Sequence, residues 1–395
     1  MAVDFESMFA ENLPEGTRIE PARRGKYDFA VAYPDPKSLP FDHMIECATD
    51  ALREHGSDLA VYPHPQGNVY LREYVSEKIA RDRQISVSAD EIILGNGSNQ
   101  VIEMICRVLV NPGDVVVTDS FVYGGTLNTL RMQFADIRGV ESDELGMDPD
   151  GLESLLVEAI SQSKKPKFVY LIPTFQNPQG WTMPGSRRQE ILSITRKYGV
   201  PILEDDCYAD NRYSGPPVTS FHHLDDGETV MYVGSFSKII APGMSLGYMT
   251  GPGRVIDKIM GIKQYRVSEF AAIVVEKYAR KYLDAHIEEI NAIQRKKRDS
   301  MLSSLGENFG SSAQWSNPDG GLYIWLNVDD GVDLLNLRDK ALDQIDVGFH
   351  SGTTYSPDGS GKNYIRLCYG YNQPSQIEEG ISRLADFFSS EGVLD

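Results

Sequence analysis

The sequence predicts an α/β protein, with a large domain built on a mostly parallel sheet flanked by helices and a smaller α+β domain after it. Two observations carry this. Between about Ala89 and Gly251, short β-branched and apolar runs alternate with helical segments, as in parallel strands joined by crossover helices. Beyond Tyr265 the pattern changes to one long helix, two alternating strands and a closing helix.

In order, strands are predicted over 91–94, 115–118, 167–172, 200–204, 229–234 and 246–250, each largely apolar or β-branched. Helices are predicted over 99–110, 151–161 and 185–198. Ligands of such sheets sit outside the carboxyl ends of the strands. This chain concentrates Gly, Ser, Asn and Asp at those ends. A long helix, charged on one side, is expected from Tyr265 to about Leu305. Residues 320–326 alternate like a strand, 364–368 resemble another, and 376–389 close the chain as a helix. The expected division is an N-terminal arm over 1–42 that joins the small domain, a large domain over 43–264, and the small domain over 265–395.

Composition narrows the function. With 395 residues, 35 Gly and 21 Pro, the chain has the size and make-up of a globular protein with a large core. Its 38 basic and 57 acidic residues give a formal charge of −19, which disfavours nucleic acid and anionic membranes as partners. A locally positive pocket for a small anion remains compatible with that charge. Cys47, Cys106, Cys207 and Cys368 are scattered without metal-ligand spacing, so reduced thiols and a cytoplasmic setting are expected. The first residues, Met1-Ala2-Val3-Asp4-Phe5-Glu6, lack the apolar segment of a secretory signal, and no run reaches the length of a membrane span.

The most informative segment is Ser235-Phe236-Ser237-Lys238-Ile239-Ile240-Ala241-Pro242-Gly243, which follows the apolar run 229–234. It sets Lys238 at a strand end beside two hydroxyls, where an amine can attack an aldehyde while the hydroxyls bind a nearby anion. Gly95-Asn96-Gly97-Ser98-Asn99-Gln100 links a strand to a helix. Its glycines allow close backbone approach, and the free N–H groups of a helix start attract an anion. Asp119-Ser120-Phe121-Val122-Tyr123-Gly124-Gly125 offers a flat aromatic at another strand end, suited to stacking on a ring.

Further along, Asn177 in Pro173-Thr174-Phe175-Gln176-Asn177-Pro178-Gln179-Gly180 is held extended by the following proline, which fixes its amide. Ile202-Leu203-Glu204-Asp205-Asp206-Cys207-Tyr208 places carboxylates at the end of an apolar strand, where a cationic partner would be favoured. The small domain contributes Asn363-Tyr364-Ile365-Arg366-Leu367, and Tyr62-Pro63-His64-Pro65-Gln66-Gly67 lies early in the chain.

Taken together, and in this order across nearly the whole chain, these segments resemble the class I/II aminotransferases, the fold-type-I enzymes of pyridoxal 5′-phosphate (PLP). The nearest group is that of the 2-aminoadipate and aromatic aminotransferases, on Glu-Asp-Asp-x-Tyr and Ser-Phe-Ser-Lys-x-x-Ala-Pro-Gly. The resemblance implies that Lys238 forms the imine with the cofactor and then serves as general base and acid. It implies that Ser98, Asn99, Ser235 and Ser237 surround the phosphate and that Tyr123 stacks on the ring. Asp205 would hold the pyridine nitrogen, while Asn177 and Tyr208 bond the phenolic oxygen. Arg366 would grip the substrate carboxylate by a two-pronged hydrogen bond. Tyr62 would reach the phosphate of the other subunit, which makes a homodimer with shared sites the expected form.

The chain departs from the family at one telling place. Where Pro-Gly-x-Arg-x-Gly is usual, it reads Pro242-Gly243-Met244-Ser245-Leu246-Gly247, so Ser245 replaces a phosphate arginine. Either the cofactor is held less tightly, or another cation such as Lys263 or Arg266 fills in. The activity implied is transfer of an amino group from an α-amino acid to a 2-oxo acid. The alternatives are another PLP reaction of an amino acid, such as elimination, substitution, cyclisation or oxidation, and a non-catalytic regulatory module on the same scaffold. Three features are set aside: His222-His223 as solvent-facing, Arg23-Arg24 as residues of the arm, and Trp181 as packing.

Overall fold

Six of the runs read as strands form one sheet together with a seventh, Asp136–Val140, which carries no continuous apolar run because only its last residue is buried. They are β1 (Ile93–Asn96), β2 (Val115–Asp119), β3 (Asp136–Val140), β4 (Val169–Leu171), β5 (Ile202–Asp205), β6 (Val230–Ser235) and β7 (Leu246–Thr250). The spatial order is β1-β7-β6-β5-β4-β2-β3. Neighbours pair in parallel except β7, which runs antiparallel to both β1 and β6. Complete burial of β2, β5 and β6 explains why they read as continuous apolar runs rather than alternating ones. The computed structural model describes residues 3–9 and 23–394, so residues 10–22 of the expected arm, with Met1, Ala2 and the last residue, lie outside the described residues.

The reversed β7 shapes the site. Its register sets Leu246 opposite Asn96 of β1 and Gly247 opposite Ser235 of β6. The start of β7 therefore lies at the carboxyl edge of the sheet, and Ser245 just before it joins the ends of the parallel strands. Gly247 is required there: a Cβ on it would lie 2.5 Å from the Ser98 nitrogen. Its absence lets helix α1 (Gly97–Leu109) start against the strand.

Helix α2 (Gly185–Tyr198) and the 40-residue α3 (Glu269–Asn308) follow. The first half of α3 packs Ile273, Val274 and Tyr278 into one core with residues of the helices Phe41–His55 and Val69–Arg83. Its second half sends Met301 and Leu305 into another core, with Ile377, Ile381 and Leu384 of the C-terminal helix Pro374–Ser390. That second core lies on an antiparallel sheet of β8 (Gln314–Trp315), β9 (Tyr323–Asn327), β10 (His350–Ser351) and β11 (Tyr364–Cys368), ordered β8-β9-β11-β10. The arm joins it through Tyr27–Asp28, which pairs in parallel with Val347–Gly348.

Several boundaries shift for local reasons. The first strand starts at Ile93 rather than at 91, because 89–91 form a 3-10 turn closed by a Ser88–Glu91 capping box. The long helix starts at Glu269 rather than at Tyr265, because Ser268 caps it through the Ala271 nitrogen. His222 corrects the reading of a solvent-facing pair. It is buried, 5% exposed, and lies edge-on to Tyr232, whereas His223 is exposed as expected. Trp181 is buried and donates Nε1–H to Gln179 Oε1 at 2.9 Å, as befits packing.

Candidate active site

The carboxyl edge of the large sheet and one face of the small one enclose a cavity of about 570 Å³. Its walls hold Ser98, Asn99, Tyr123, Asp205, Tyr208, Ser235, Ser237, Lys238, Ser245 and Arg366. The structure thus gathers ten of the twelve residues singled out in the sequence, from loops up to about 270 residues apart. Asn177 stands one layer behind the wall, and Tyr62 lies outside the cavity.

Lys238 follows the end of β6. Its ammonium donates to the Ala32 carbonyl at 3.1 Å, and burial pushes its pKa down. Asp205 ends β5, is 3% exposed, and accepts from the Tyr170 hydroxyl at 2.8 Å and from the Cys207 nitrogen at 3.3 Å. Tyr170 in turn accepts from Thr126 Oγ1 at 3.0 Å. Burial raises the Asp205 pKa, so its carboxylate awaits a positive partner. Adjacent Asp206 faces away, bonded to Arg83 at 2.7 Å and to Tyr232 at 2.8 Å. Glu204 has a structural role, accepting from the Phe221 and His222 nitrogens at 2.9 Å each.

Arg366, on β11, reaches the same cavity. Its Nη1 donates to Asn177 Oδ1 at 3.0 Å and its Nη2 to the Ala30 carbonyl at 2.6 Å. Its Nε is buried with no hydrogen-bond partner among the described residues. The guanidinium lies over the rings of Tyr323 and Tyr355, 4.4 and 4.9 Å from their centroids. Asn177 donates to the Tyr208 hydroxyl at 3.2 Å, and Tyr208 meets Tyr323 at 3.0 Å.

The remaining wall is the anion end. Helix α1 begins at Gly97 with free N–H groups, and Ser98, Ser235, Ser237 and Ser245 line the same end of the cavity, Ser235 Oγ accepting from the Ser237 nitrogen at 3.2 Å. Asn99 donates to the Tyr123 hydroxyl at 3.3 Å. Gly125 leaves room for that ring: a Cβ on it would meet Tyr123 Cε1 at 2.5 Å. Phe121, in place of a proline, joins an aromatic cluster with Trp325 and Tyr364 at ring distances of 5.2 and 5.1 Å. Ser245 adopts a left-handed backbone, φ 51°. Of the two substitute cations, Lys263 turns to the Tyr265 carbonyl at 2.8 Å, and neither it nor Arg266 lines the cavity. Arg23 pairs with Asp343, and Arg24 with Asp28 at 2.7 Å, so both arm arginines are engaged elsewhere.

Sequence reasoning missed Tyr170, Tyr323, Tyr355 and His350. The inward position of Tyr323 was readable from the alternation over 320–326, but Tyr170 sits within a fully apolar strand that gives no such signal. His350 is held neutral: burial and then the charges of Arg366 and Arg338 push it down to about 3.

Comparison with known proteins decides what this geometry belongs to. Residues 31–384 match the family described as Aminotransferase class I and II. The chain belongs to that family. It is 33% identical to Aromatic-amino-acid aminotransferase 1 of Thermococcus litoralis over 92% of this chain and 88% of the relative. It is 28% identical to the 2-aminoadipate transaminase of Thermus thermophilus, over 92% and 90% respectively. A solved Pyrococcus horikoshii kynurenine aminotransferase, in complex with PMP, superposes with a TM-score of 0.92 at 31% identity, covering 98% of each chain. The protein is a fold-type-I, PLP-dependent aminotransferase, an enzyme that takes amino and 2-oxo acids. The cavity fits that cofactor. It joins an amine of lowered pKa, a buried carboxylate lacking a charged partner, a helix start at the serine-lined end and an orphaned guanidinium nitrogen. No helix among the described residues is long and apolar enough to cross a membrane.

Proposed function

We propose that this aminotransferase works by alternating half-reactions through Lys238, first accepting the amino group of an α-amino acid and then passing it to a 2-oxo acid. The observation that carries the reading is the placement of Lys238 Nζ in one cavity with Asp205 and Arg366. When bound, PLP supplies an electron sink for the charge developing at the substrate α-carbon. Asp205, held in place by Tyr170, would compensate the positive charge of the ring nitrogen. Asn177 and Tyr208, already bonded to one another, would hold the phenolic oxygen. Tyr123 would cover the ring, and Ser98, Asn99, Ser235, Ser237 and Ser245 would receive the phosphate near the start of α1.

Arg366 holds the substrate carboxylate with its free nitrogen and its fork, and the same guanidinium fixes Asn177. Lys238 moves the proton. Burial lowers its pKa, so more of its amine is unprotonated and able to take the α-proton and return it. Tyr33, Tyr323, Tyr355 and neutral His350 line the rest of the cavity, which supports a large uncharged side chain on the donor.

The active form we propose is a homodimer in the cytoplasm. Tyr62, 88% exposed and next to the exposed Val61 in the chain, belongs to the surface that meets the second copy. The four cysteines are free thiols, in keeping with a reducing compartment.

The test is the visible spectrum of the protein with PLP, wild type beside Lys238→Ala, before and after a panel of amino acids. A Lys238-dependent band that amino acids bleach and a 2-oxo acid restores supports the reading, and the panel names the donor. Release of ammonia without an oxo-acid acceptor would replace transamination by elimination.

A further inference from the structure

The anion end of the cavity is short of positive charge. A phosphate monoester carries about −1.5 to −2 at neutral pH. The hydroxyls and helix start that face it supply dipoles, and the charged groups among the described lining residues are Lys238, Asp205 and Arg366. Lys238 and Arg366 are assigned to the amine chemistry and the carboxylate. Ser245 cannot contribute a charge, and its hydroxyl lies close to Gly97, whose Cβ position would be 3.7 Å from Ser245 Oγ.

A guanidinium is nevertheless held close by, pointing outwards. The Arg266 carbonyl accepts from Asn96 Nδ2 at 3.3 Å, which ties this segment to the loop that opens α1. The Arg266 side chain leaves that loop and stacks on the Tyr62 ring, 5.4 Å from its centroid. Arg266 is exposed and makes no ion pair among the described residues, although acids outnumber bases by 57 to 38 in this chain. Lys263 stands near it, pushed down to about 8 by burial and then by the Arg266 charge. Arg266, exposed with Tyr62, Tyr265 and Phe270 and backed by the buried Lys263, is arranged to receive an anion from outside the subunit.

We propose that Arg266 travels with Tyr62 across a two-fold interface and supplies the partner subunit's site with the phosphate guanidinium that Ser245 lacks. This rests on the cofactor reading above. A two-fold interface is isologous, so each subunit gives and receives the same pair of residues. The ring of Tyr62 presents the guanidinium in a fixed direction and leaves its N–H groups free for two phosphate oxygens.

The test compares PLP with pyridoxal, which lacks the phosphate. Arg266→Ala should weaken PLP binding roughly 10- to 100-fold, as expected for loss of a charged hydrogen-bonding partner, and leave pyridoxal binding unchanged. Ser245→Arg added to Arg266→Ala should restore PLP binding. Equal PLP affinity in wild type and Arg266→Ala overturns the proposal. Mixed dimers read the direction of supply. A wild-type subunit paired with a Lys238→Ala/Arg266→Ala subunit should bind PLP weakly at its one Lys238. A Lys238→Ala subunit paired with an Arg266→Ala subunit should bind it at full strength. The reverse order overturns supply across the interface. A wild-type protein with no Lys238-dependent band would sink the cofactor reading itself, an outcome distinct from a wild-type band with an indifferent Arg266.

Discussion

Asp205 and Asp206 are consecutive, yet they serve opposite sides of the sheet end. Asp205 accepts from Tyr170 inside the cavity, and Asp206 bonds Arg83 and Tyr232 outside it. The two carboxylates therefore separate into one awaiting a ligand's charge and one already paired within the protein, which leads to different expectations for each.

Asp205→Asn should move activity and stability in opposite directions. The native carboxyl has a raised pKa, so its ionisation costs stability near neutral pH. Removing the charge should raise the melting temperature of the cofactor-free protein. It should also lower kcat on the order of 100-fold or more, by analogy with loss of one preorganised electrostatic partner. Calorimetry and steady-state kinetics on the same preparation check this; a fall in both would contradict it.

Arg83→Ala should act on stability alone. Arg83 bonds Asp206 at 2.7 Å and Asp210 at 2.6 Å, and Lys78 adds a contact to Asp210 at 2.9 Å. Truncation leaves Asp206 buried beside little more than a phenol, at about 3–5 kcal/mol. Urea denaturation measures the loss.

Arg366→Lys tests the fork. A lysine keeps the charge but cannot hold Asn177, the Ala30 carbonyl and a carboxylate at once. KM for the amino acid and for the oxo acid should both rise, roughly 10- to 100-fold for a lost charged hydrogen bond. A KM unchanged for both substrates would remove Arg366 from carboxylate binding.

Gly125→Ala places a methyl where the Tyr123 ring lies, 2.5 Å from Cε1. The ring must tilt, at about 1–3 kcal/mol of overpacking. PLP titration should show weaker binding while the far-ultraviolet circular dichroism keeps its native shape.

Asp119 gives the pH dependence. Burial raises its carboxyl to about 7, although Ser142 donates to it at 2.8 Å. A carboxyl raised in the folded state contributes stability below its ordinary value, about 3.9, and loses that contribution as pH rises through about 7. Melting temperature should therefore fall over that interval, and Asp119→Asn should flatten the fall.

Much of this was legible in the chain itself. The strands 246–250 and 364–368 and the helix 185–198 have the bounds expected of them, because Pro, Gly or a change of period marks their ends. The motif residues lie at strand ends, where glycine and polar residues interrupt apolar runs. What escaped depends on partners distant in sequence. The bond from Tyr170 to Asp205 spans 35 residues and the one from Arg366 to Asn177 spans 189, and neither leaves a local pattern. The reversal of β7 is equally silent, since a buried strand reads the same in either direction. His222 looked exposed because acidic residues follow it, but its backbone is fixed by Glu204, 18 residues earlier.

The hairpin formed by β6 and β7 carries Lys238 and Ser245 on a single ten-residue connection, whose first residue, Phe236, already bonds back to Leu246 at 3.0 Å. The reactive amine and the anion end are therefore mechanically one part. Shortening or lengthening that connection by a residue would displace both together, whereas replacing one side chain alters either alone. Change at this edge is confined to substitution in place, and the exchange of a guanidinium for a hydroxyl at position 245 is a change of that kind.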